Sequence, residues 1–409
     1  MADQPRHLLL LIGLSMSQVI SWGTLYYALP ATSTAIARDT GWSVVLITTA
    51  FSAGLILSAA AGIPVGRLMD RAGPRLAMTV GTVVGAVGAV GLVAVAVAPS
   101  FPLFIAAWCV VGLGQSATLY QAAFTVINTT FGARRGTALT VVTLAAGLAS
   151  TIFAPIAVAL AHGLGWRGNF LVLAGILLVT VGPIHATVLP RRWARLDGVP
   201  EAGPRADSFR VLRIARSSPF LLLQIGVTGL ALALYALTIN LVPLLTSAGL
   251  AAAAAATAFG LVGIGQVAGR AFFAFGRGTT TRPAVTVVAA VAVIALAGFA
   301  AGAGVLPAAI GLAVLAGAAR GSLTLIQASV VVDRWGTADT GHLTGIFAAP
   351  VTIATAIAPA VGAALLQATD ATITALLCAV VAAIGGGALL LGTITHRDPR
   401  IANRHRTHQ

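Results

Sequence analysis

"GRLMDRAGPR", residues 66–75, is a charged stretch between two runs that carry almost no charge. The run before it, at about 43–65, and the run after it, at about 75–98, each approach the ~20 residues that an α-helix needs to cross ~30 Å of hydrocarbon. Arg67, Asp70, Arg71 and Arg75 would each cost roughly 2.5–3.5 kcal/mol at the centre of a bilayer. The stretch therefore reads as a loop between two membrane helices.

Extended outward, the same reading covers the chain. Apolar runs recur at about 7–30, 43–65, 75–98, 101–127, 137–161, 168–189, 218–246, 253–275, 284–305, 307–331, 342–366 and 371–395. Of 409 residues, 58% are hydrophobic and only 8% are charged, with a mean hydropathy of +0.97. A soluble domain carries roughly 25% charged residues, so this chain cannot cover a water-facing surface of ordinary size. The expected fold is an all-α integral membrane protein of twelve transmembrane helices. The first run is expected to be retained as a helix rather than cleaved as a signal, because Ser15, Ser17, Gln18 and Ser21 interrupt it.

The charge pattern supports the helix count. The formal net charge is +14, and all 24 basic residues are arginines. In the twelve-helix arrangement only Arg38 and Arg167 fall on one side, while Arg270 and Arg320 fall within helices; the other arginines fall together on the opposite side. Positive charge marks the cytoplasmic side, which places both termini in the cytoplasm and the protein in the cytoplasmic membrane. The charge is spread over short loops without a basic domain, so a nucleic-acid partner is not expected. Cys109 and Cys378 both lie in apolar runs, and no metal-ligand spacing or nucleotide-binding loop is present. Neither an enzyme nor a cofactor is expected.

The chain divides at 190–217 into an N-terminal unit, 1–189, and a C-terminal unit, 218–395, followed by a tail, 396–409. The units echo each other. Tyr27-Ala28-Leu29 recurs as Tyr235-Ala236-Leu237, and Gly41 recurs as Gly249. Gly114, Thr118 and Gln121 correspond to Arg320, Thr324 and Gln327. The pattern implies two pseudo-symmetric six-helix bundles with a substrate site between them near the membrane midplane. One chain would hold both halves of the pathway, so a monomer is expected.

The loop quoted first has the form Gly-x-x-x-Asp-Arg-x-Gly-x-Arg, which resembles the signature of the major facilitator superfamily at Gly66, Asp70, Arg71, Gly73 and Arg75. The resemblance implies a conformational latch: Gly66 for close packing, Gly73 for a tight turn, Asp70 accepting hydrogen bonds from a neighbouring helix terminus, and the arginines at the interface. Within that superfamily, "YYALPATSTAIARDTGWS" (26–43), "GARRGTALTVVTLAAG" (132–147), "GWRGNFLVLAG" (165–175) and "NLVPLLTSAGLAAAAAATAFGLVGIGQVAGR" (240–270) resemble the monocarboxylate-porter and oxalate/formate antiporter-like group. In that group the arginine of the eighth helix engages the substrate carboxylate, and Arg270 stands at the matching position. Gln266 stands where the eukaryotic porters carry an acid, and Ala31 where they carry a lysine, so their proton-coupling scheme does not transfer directly.

The residues alone point the same way. None of the ten acids falls in the interior of a predicted helix, so Arg270 lacks an acidic partner of its own. A planar guanidinium fork holds a carboxylate by two parallel hydrogen bonds. Two roles stand open for Arg270, an anion anchor or a side chain that snorkels to the interface. Arg320 is a second such cation, structural or at the cavity. If both face the cavity, a dicarboxylate or an anion with a second acceptor group becomes a candidate. Thr118 and Gln121 in the fourth helix, and Thr324 and Gln327 in the tenth, form polar stripes that either face a wet cavity or bond between helices. Tyr26, Tyr27, Tyr235, Asn240 and Gln266 complete the candidate substrate-binding set. The expected function is secondary transport of a small organic anion, monocarboxylates first, by alternating access with a proton or a counter-anion. The alternative is export of drugs or toxic metabolites. His162 and His185 are placed near helix ends, at the interface.

Overall fold

The computed structural model describes residues 4–94, 100–191, 208–275, 280–335 and 340–394. Among the described residues all regular structure is helical. Eleven helical stretches are long and apolar enough to cross a membrane. One of them, Arg135–Thr187, has 53 residues; at ~1.5 Å per residue that is more than twice the hydrocarbon thickness. It is broken at Gly165, where φ 71° and ψ 165° are not helical. It is therefore two membrane helices joined by a turn, and the total is twelve.

In chain order these are α1 (Arg6–Thr40), α2 (Val44–Ala72), α3 (Pro74–Ala94), α4 (Phe101–Thr130), α5 and α6 (135–164 and 166–187) and α7 (Ser218–Ile239, continued by Leu241–Ser247). They continue as α8 (Ala252–Phe275), α9 (Arg282–Gly302), α10 (Leu306–Trp335), α11 (Thr340–Ala368) and α12 (Ala371–Ile394). Of the expected linker, 192–207 lies outside the described residues, and so does the tail; the short helix Ser208–Ala215 leads into α7.

The first six helices pack on one another through α3–α4, α2–α4 and α1–α5, and the last six through α8–α10, α7–α12 and α9–α12. The two bundles meet along α5–α8 and α2–α11. Lipid offers no hydrophobic drive for helix association, so close approach depends on small side chains. The α8–α10 seam shows this. A Cβ on Gly265 or Gly269 would lie 2.1 Å from the carbonyl oxygen of Val314 or Ala318. In return, one on Gly317 or Gly321 would lie 2.1 or 2.3 Å from that of Val262 or Gln266. Two interlocked Gly-x-x-x-Gly faces thus bring the backbones together, and the next residue along each helix is Arg270 or precedes it as Arg320. Across the bundle interface, Thr151 Oγ1 donates to Gly260 O at 2.7 Å.

The repeat is visible in the backbone. Gly41 and Gly249 end α1 and α7, and both hold left-handed conformations, φ 72° and 96°.

Three helices of the N-terminal bundle depart from regular geometry: α6 has a π-helical segment at Leu177–Val181, and α1 and α4 depart where they are tied to each other. In α1, Gly23–Tyr27 is a π-helical segment, and Gly23 lets the Phe153 ring approach closely, since a Cβ there would lie 2.1 Å from it. In α4, Leu119 is extended (φ −86°, ψ −165°) and divides the helix into Phe101–Thr118 and Tyr120–Thr130. Two glutamines tie these segments together. Gln18 Nε2 donates to Thr118 O at 2.6 Å, a carbonyl at the break, and Gln115 Nε2 donates to Leu25 O at 2.8 Å.

On the side away from the arginine-rich loops the bundles are closed. Thr32, Ser33 and Ile36 of α1 and Leu244 and Leu245 of α7 are all buried, where the ends of α1 and α7 pack. Toward the arginine-rich side, Gln121 and Asn128 of α4, two turns apart on one face, are exposed.

Candidate functional site

A cavity lies between the bundles in two lobes. The smaller, about 130 Å³, is walled by Arg270, Arg320, Gln266, Thr324, Gln327 and Tyr27 among others. The larger, about 210 Å³, is walled mainly by apolar and aromatic groups, including Tyr26, Leu55, Ala59, Leu119 and Ala356, with Gln115 and Gln121. Trp22, Tyr120, Tyr235, Thr352 and Thr355 belong to both lobes, so the lobes adjoin. No aspartate or glutamate lines either one.

Both arginines are buried, Arg270 at 4% exposure and Arg320 at 2%. The Arg270 head is held among protein groups. Arg270 Nη1 donates across the bundle interface to Thr143 O of α5, and the Tyr120 hydroxyl lies 3.5 Å from the same nitrogen. Arg320 Nη1 donates to Thr238 Oγ1 at 3.2 Å. Its guanidinium carbon lies 3.6 Å from the Tyr235 ring centroid, a cation–π contact. The Nε of each arginine has no partner. The site therefore holds two guanidinium charges, partly satisfied by carbonyl, hydroxyl and ring, without a carboxylate in the lining.

Gln266 Nε2 lies 3.5 Å from the Tyr27 hydroxyl and can donate to it, another contact between bundles. Tyr26 and Tyr27 are held edge-on by Phe51 and Phe259, at 5.1 and 6.0 Å between ring centroids. Trp22 sits 4.9 Å from both Tyr26 and Tyr120, and its Nε1 is buried without a partner.

Two expected site residues stand elsewhere. Thr118 is fully buried, and its hydroxyl donates back to Gly114 O at 2.9 Å. The break at Leu119 resets the helical phase, so Thr118 turns inward while Tyr120 and Gln121 turn to the cavity. Asn240 lies in neither lobe. Its Nδ2 donates to Ala236 O and to Pro359 O, both at 2.9 Å, which caps the first segment of α7 and ties it to α11. Trp22 and Tyr120 are cavity residues that sequence reasoning does not pick out. A useful signal was available for Tyr120, since the chain has only four tyrosines and the other three were already candidates. His185 is also displaced from its expected interfacial place. It is fully buried between α6 and α3, with Nδ1 2.8 Å from Thr82 Oγ1 and 3.2 Å from Met78 O.

Residues 14–305 match the family model of the Major Facilitator Superfamily. The chain belongs to the Major Facilitator Superfamily. It is accordingly a multi-pass membrane transporter, not an enzyme. Solved structures agree on the fold. An inward-facing, unoccupied structure of a bacterial homolog to the human lysosomal transporter Spinster superposes with a TM-score of 0.68 at 14% identity, over 96% of this chain and 95% of that one. Its inward-facing, occupied counterpart gives 0.66 at 14% identity, over 96% and 94%. No protein of curated function matches the sequence.

The superfamily loop takes a form only partly as expected. Gly73 has φ 81° and its N–H bonds Met69 O at 2.9 Å, ending α2 in a tight turn. Arg75 Nε donates to Leu189 O at 2.7 Å and Nη2 to Thr187 O at 2.9 Å, so it caps the carbonyl end of α6 within its own bundle. Arg71 is exposed. Nothing lies within 4 Å of a Cβ added to Gly66, so the close packing expected of it is not made here. The side chain of Asp70 lies outside the described residues.

Proposed function

We propose that this superfamily member is a secondary transporter of small organic anions, monocarboxylates first, and that Arg270 binds the carboxylate. The observation that carries the reading is the pair of buried guanidinium groups in one inter-bundle cavity whose lining holds no acid. Buried charges are paired or they are costly, and a substrate carboxylate is a partner that arrives and leaves with each cycle. The subgroup resemblance, with its eighth-helix arginine, supports the same assignment.

The closed α1–α7 end and the exposed polar face of α4 correspond to one end state of alternating access, open to the arginine-rich side. By the charge rule that side is the cytoplasm, and the membrane is the cytoplasmic one. The anion travels with a proton or exchanges for a second anion, and the unit of transport is a monomer. Arg320 supplies a second positive contact, which extends the reading to dicarboxylates.

The test is thermal stability of the purified protein against mono- and dicarboxylates and lipophilic cations, repeated with Arg270→Gln. A ligand at a hundredfold excess over its dissociation constant stabilises the native state by about 2.7 kcal/mol. Stabilisation by a carboxylate that disappears in the variant is the expected result. Stabilisation by cations alone, unchanged by the substitution, would overturn the anion reading and favour an exporter of drugs or toxic metabolites.

A further inference from the structure

The polar lobe accounts for the carboxylate and leaves the larger lobe unused. All four tyrosines of the chain stand in the cavity wall, together with Trp22, in a protein whose aromatic content is only 6%. Packing alone does not require this concentration. The four come from three helices, α1, α4 and α7, two of which bend out of regular geometry where they present these rings. Trp22, Tyr120 and Tyr235 are only partly buried and are shared by the two lobes. They thus form the passage from the charged lobe to the apolar one.

An acetate-sized anion would occupy the charged lobe and leave water against the rings of the adjoining lobe of about 210 Å³. A flat apolar body attached to the carboxylate would displace that water and meet ring faces. Arg320 already lies over the Tyr235 ring, so one side of its guanidinium is covered. This leaves its edge for a carboxylate, whose attached body would then extend along the aromatic passage. Aromatic pairs in offset or edge-on geometry gain about 0.5–1.5 kcal/mol beyond the area they bury, which is up to about tenfold in affinity.

We propose that the substrate class is aryl carboxylates, with the carboxylate at Arg270 and Arg320 and the ring against Trp22, Tyr120 and Tyr235. This inference rests on the organic-anion reading above. The test uses the full-length protein and a ligand series that separates charge, apolar size and aromaticity: acetate and lactate, cyclohexanecarboxylate, then benzoate and phenylacetate. Each is titrated by its effect on the unfolding temperature and by competition in proteoliposome uptake. Benzoate and phenylacetate are expected to act at about tenfold lower concentration than cyclohexanecarboxylate, and at lower still than lactate. Trp22→Leu is expected to remove the preference for benzoate over cyclohexanecarboxylate, whatever it does to affinity as a whole. The ligand series on the unsubstituted protein decides the matter even if that variant does not fold. Lactate or acetate binding as tightly as benzoate would overturn the aryl assignment and leave the anion reading standing. Equal binding of benzoate and cyclohexanecarboxylate would overturn it too, since the lobe would then select for apolar size alone. If no carboxylate binds, the anion reading fails and the aryl assignment with it.

Discussion

Arg270 and Arg320 enter the cavity from α8 and α10 of the C-terminal bundle, whereas Trp22, Tyr26, Tyr27 and Tyr120 enter it from α1 and α4 of the N-terminal one. The helices differ in the same sense. α8 and α10 are continuous and locked by reciprocal glycine contacts, while α1 contains a π-segment and α4 is broken at Leu119. Of these helices α4 and α10 are repeat mates, with Gly114 matching Arg320, so a duplicated scaffold has been put to two uses. A tight regular seam fixes charged heads, which need defined positions. Irregular helices turn bulky rings off the natural helical phase. The charge in one half and the shape in the other can therefore be perturbed separately.

The largest effect is expected from the charged half. Arg270→Gln leaves a bound carboxylate without its main partner, and removing one member of a buried charge pair costs about 2–5 kcal/mol. Carboxylate affinity should fall by roughly 30-fold to 5,000-fold in proteoliposome uptake. The unfolding temperature without ligand should be little changed, because the variant also removes a buried charge. Similar uptake by the variant would break the proposed division, since the charge would then be structural.

Next comes the seam that holds those charges. Gly265→Val places a branched side chain where even a Cβ lies 2.1 Å from Val314 O. Backbone cannot yield as a flexible side chain can, and overpacking of this kind costs about 3 kcal/mol. Gly311→Ala on α10 is the control, since nothing lies within 4 Å of its added methyl. Thermal unfolding of the two variants should differ by several degrees. Equal stability would mean that the seam does not set the positions of Arg270 and Arg320.

The sequence carries the charged half more openly than the aromatic half, for a physical reason. Arginine inside an apolar run stands out at once, and the absence of acids from helix interiors can be read from composition. Arg270 and Arg320 are readable on such grounds, Gln327 by its spacing from Arg320, Gln266 by the family resemblance and Tyr235 as the repeat mate of Tyr27, and the structure brings all five into one cavity. The twelve helices were also legible, down to the division of Arg135–Thr187 that the arginine balance requires. The break in α4 was not. Nothing between Gln115 and Gln121 is a glycine or proline, and the group that receives the displaced carbonyl, Gln18, lies 100 residues earlier. A regular helix through this region puts Thr118 and Gln121 on one face and Tyr120 off it. That reading selects Thr118, which the structure buries, rather than Tyr120, which lines the cavity.

A smaller effect is expected in the irregular half. Gln18→Leu leaves Thr118 O buried without the donor that replaces its helical partner, which costs about 2 kcal/mol. The loss should fall on benzoate more than on lactate, because the variant disturbs the Tyr120 ring directly and reaches Arg270 only through the Tyr120 hydroxyl, 3.5 Å from its Nη1. Measured binding of both ligands sharpens the comparison: equal losses for both would mean that the break in α4 positions the charges as well as the rings.

The smallest effect probes where the halves should still agree. Gly41 and Gly249 are repeat mates that end α1 and α7 at φ 72° and 96°, and neither has an atom within 4 Å of an added Cβ. Alanine at either position meets only the backbone cost of the left-handed region, about 1 kcal/mol. Gly41→Ala and Gly249→Ala should therefore lower thermal stability by similar amounts and leave ligand preference unchanged. The two glycines sit on the side away from the arginine-rich loops, where the ends of α1 and α7 meet, so the comparison there is between backbones alone. A much larger loss at one of them would show that the divergence of the two bundles extends from the cavity wall into the frame that carries it.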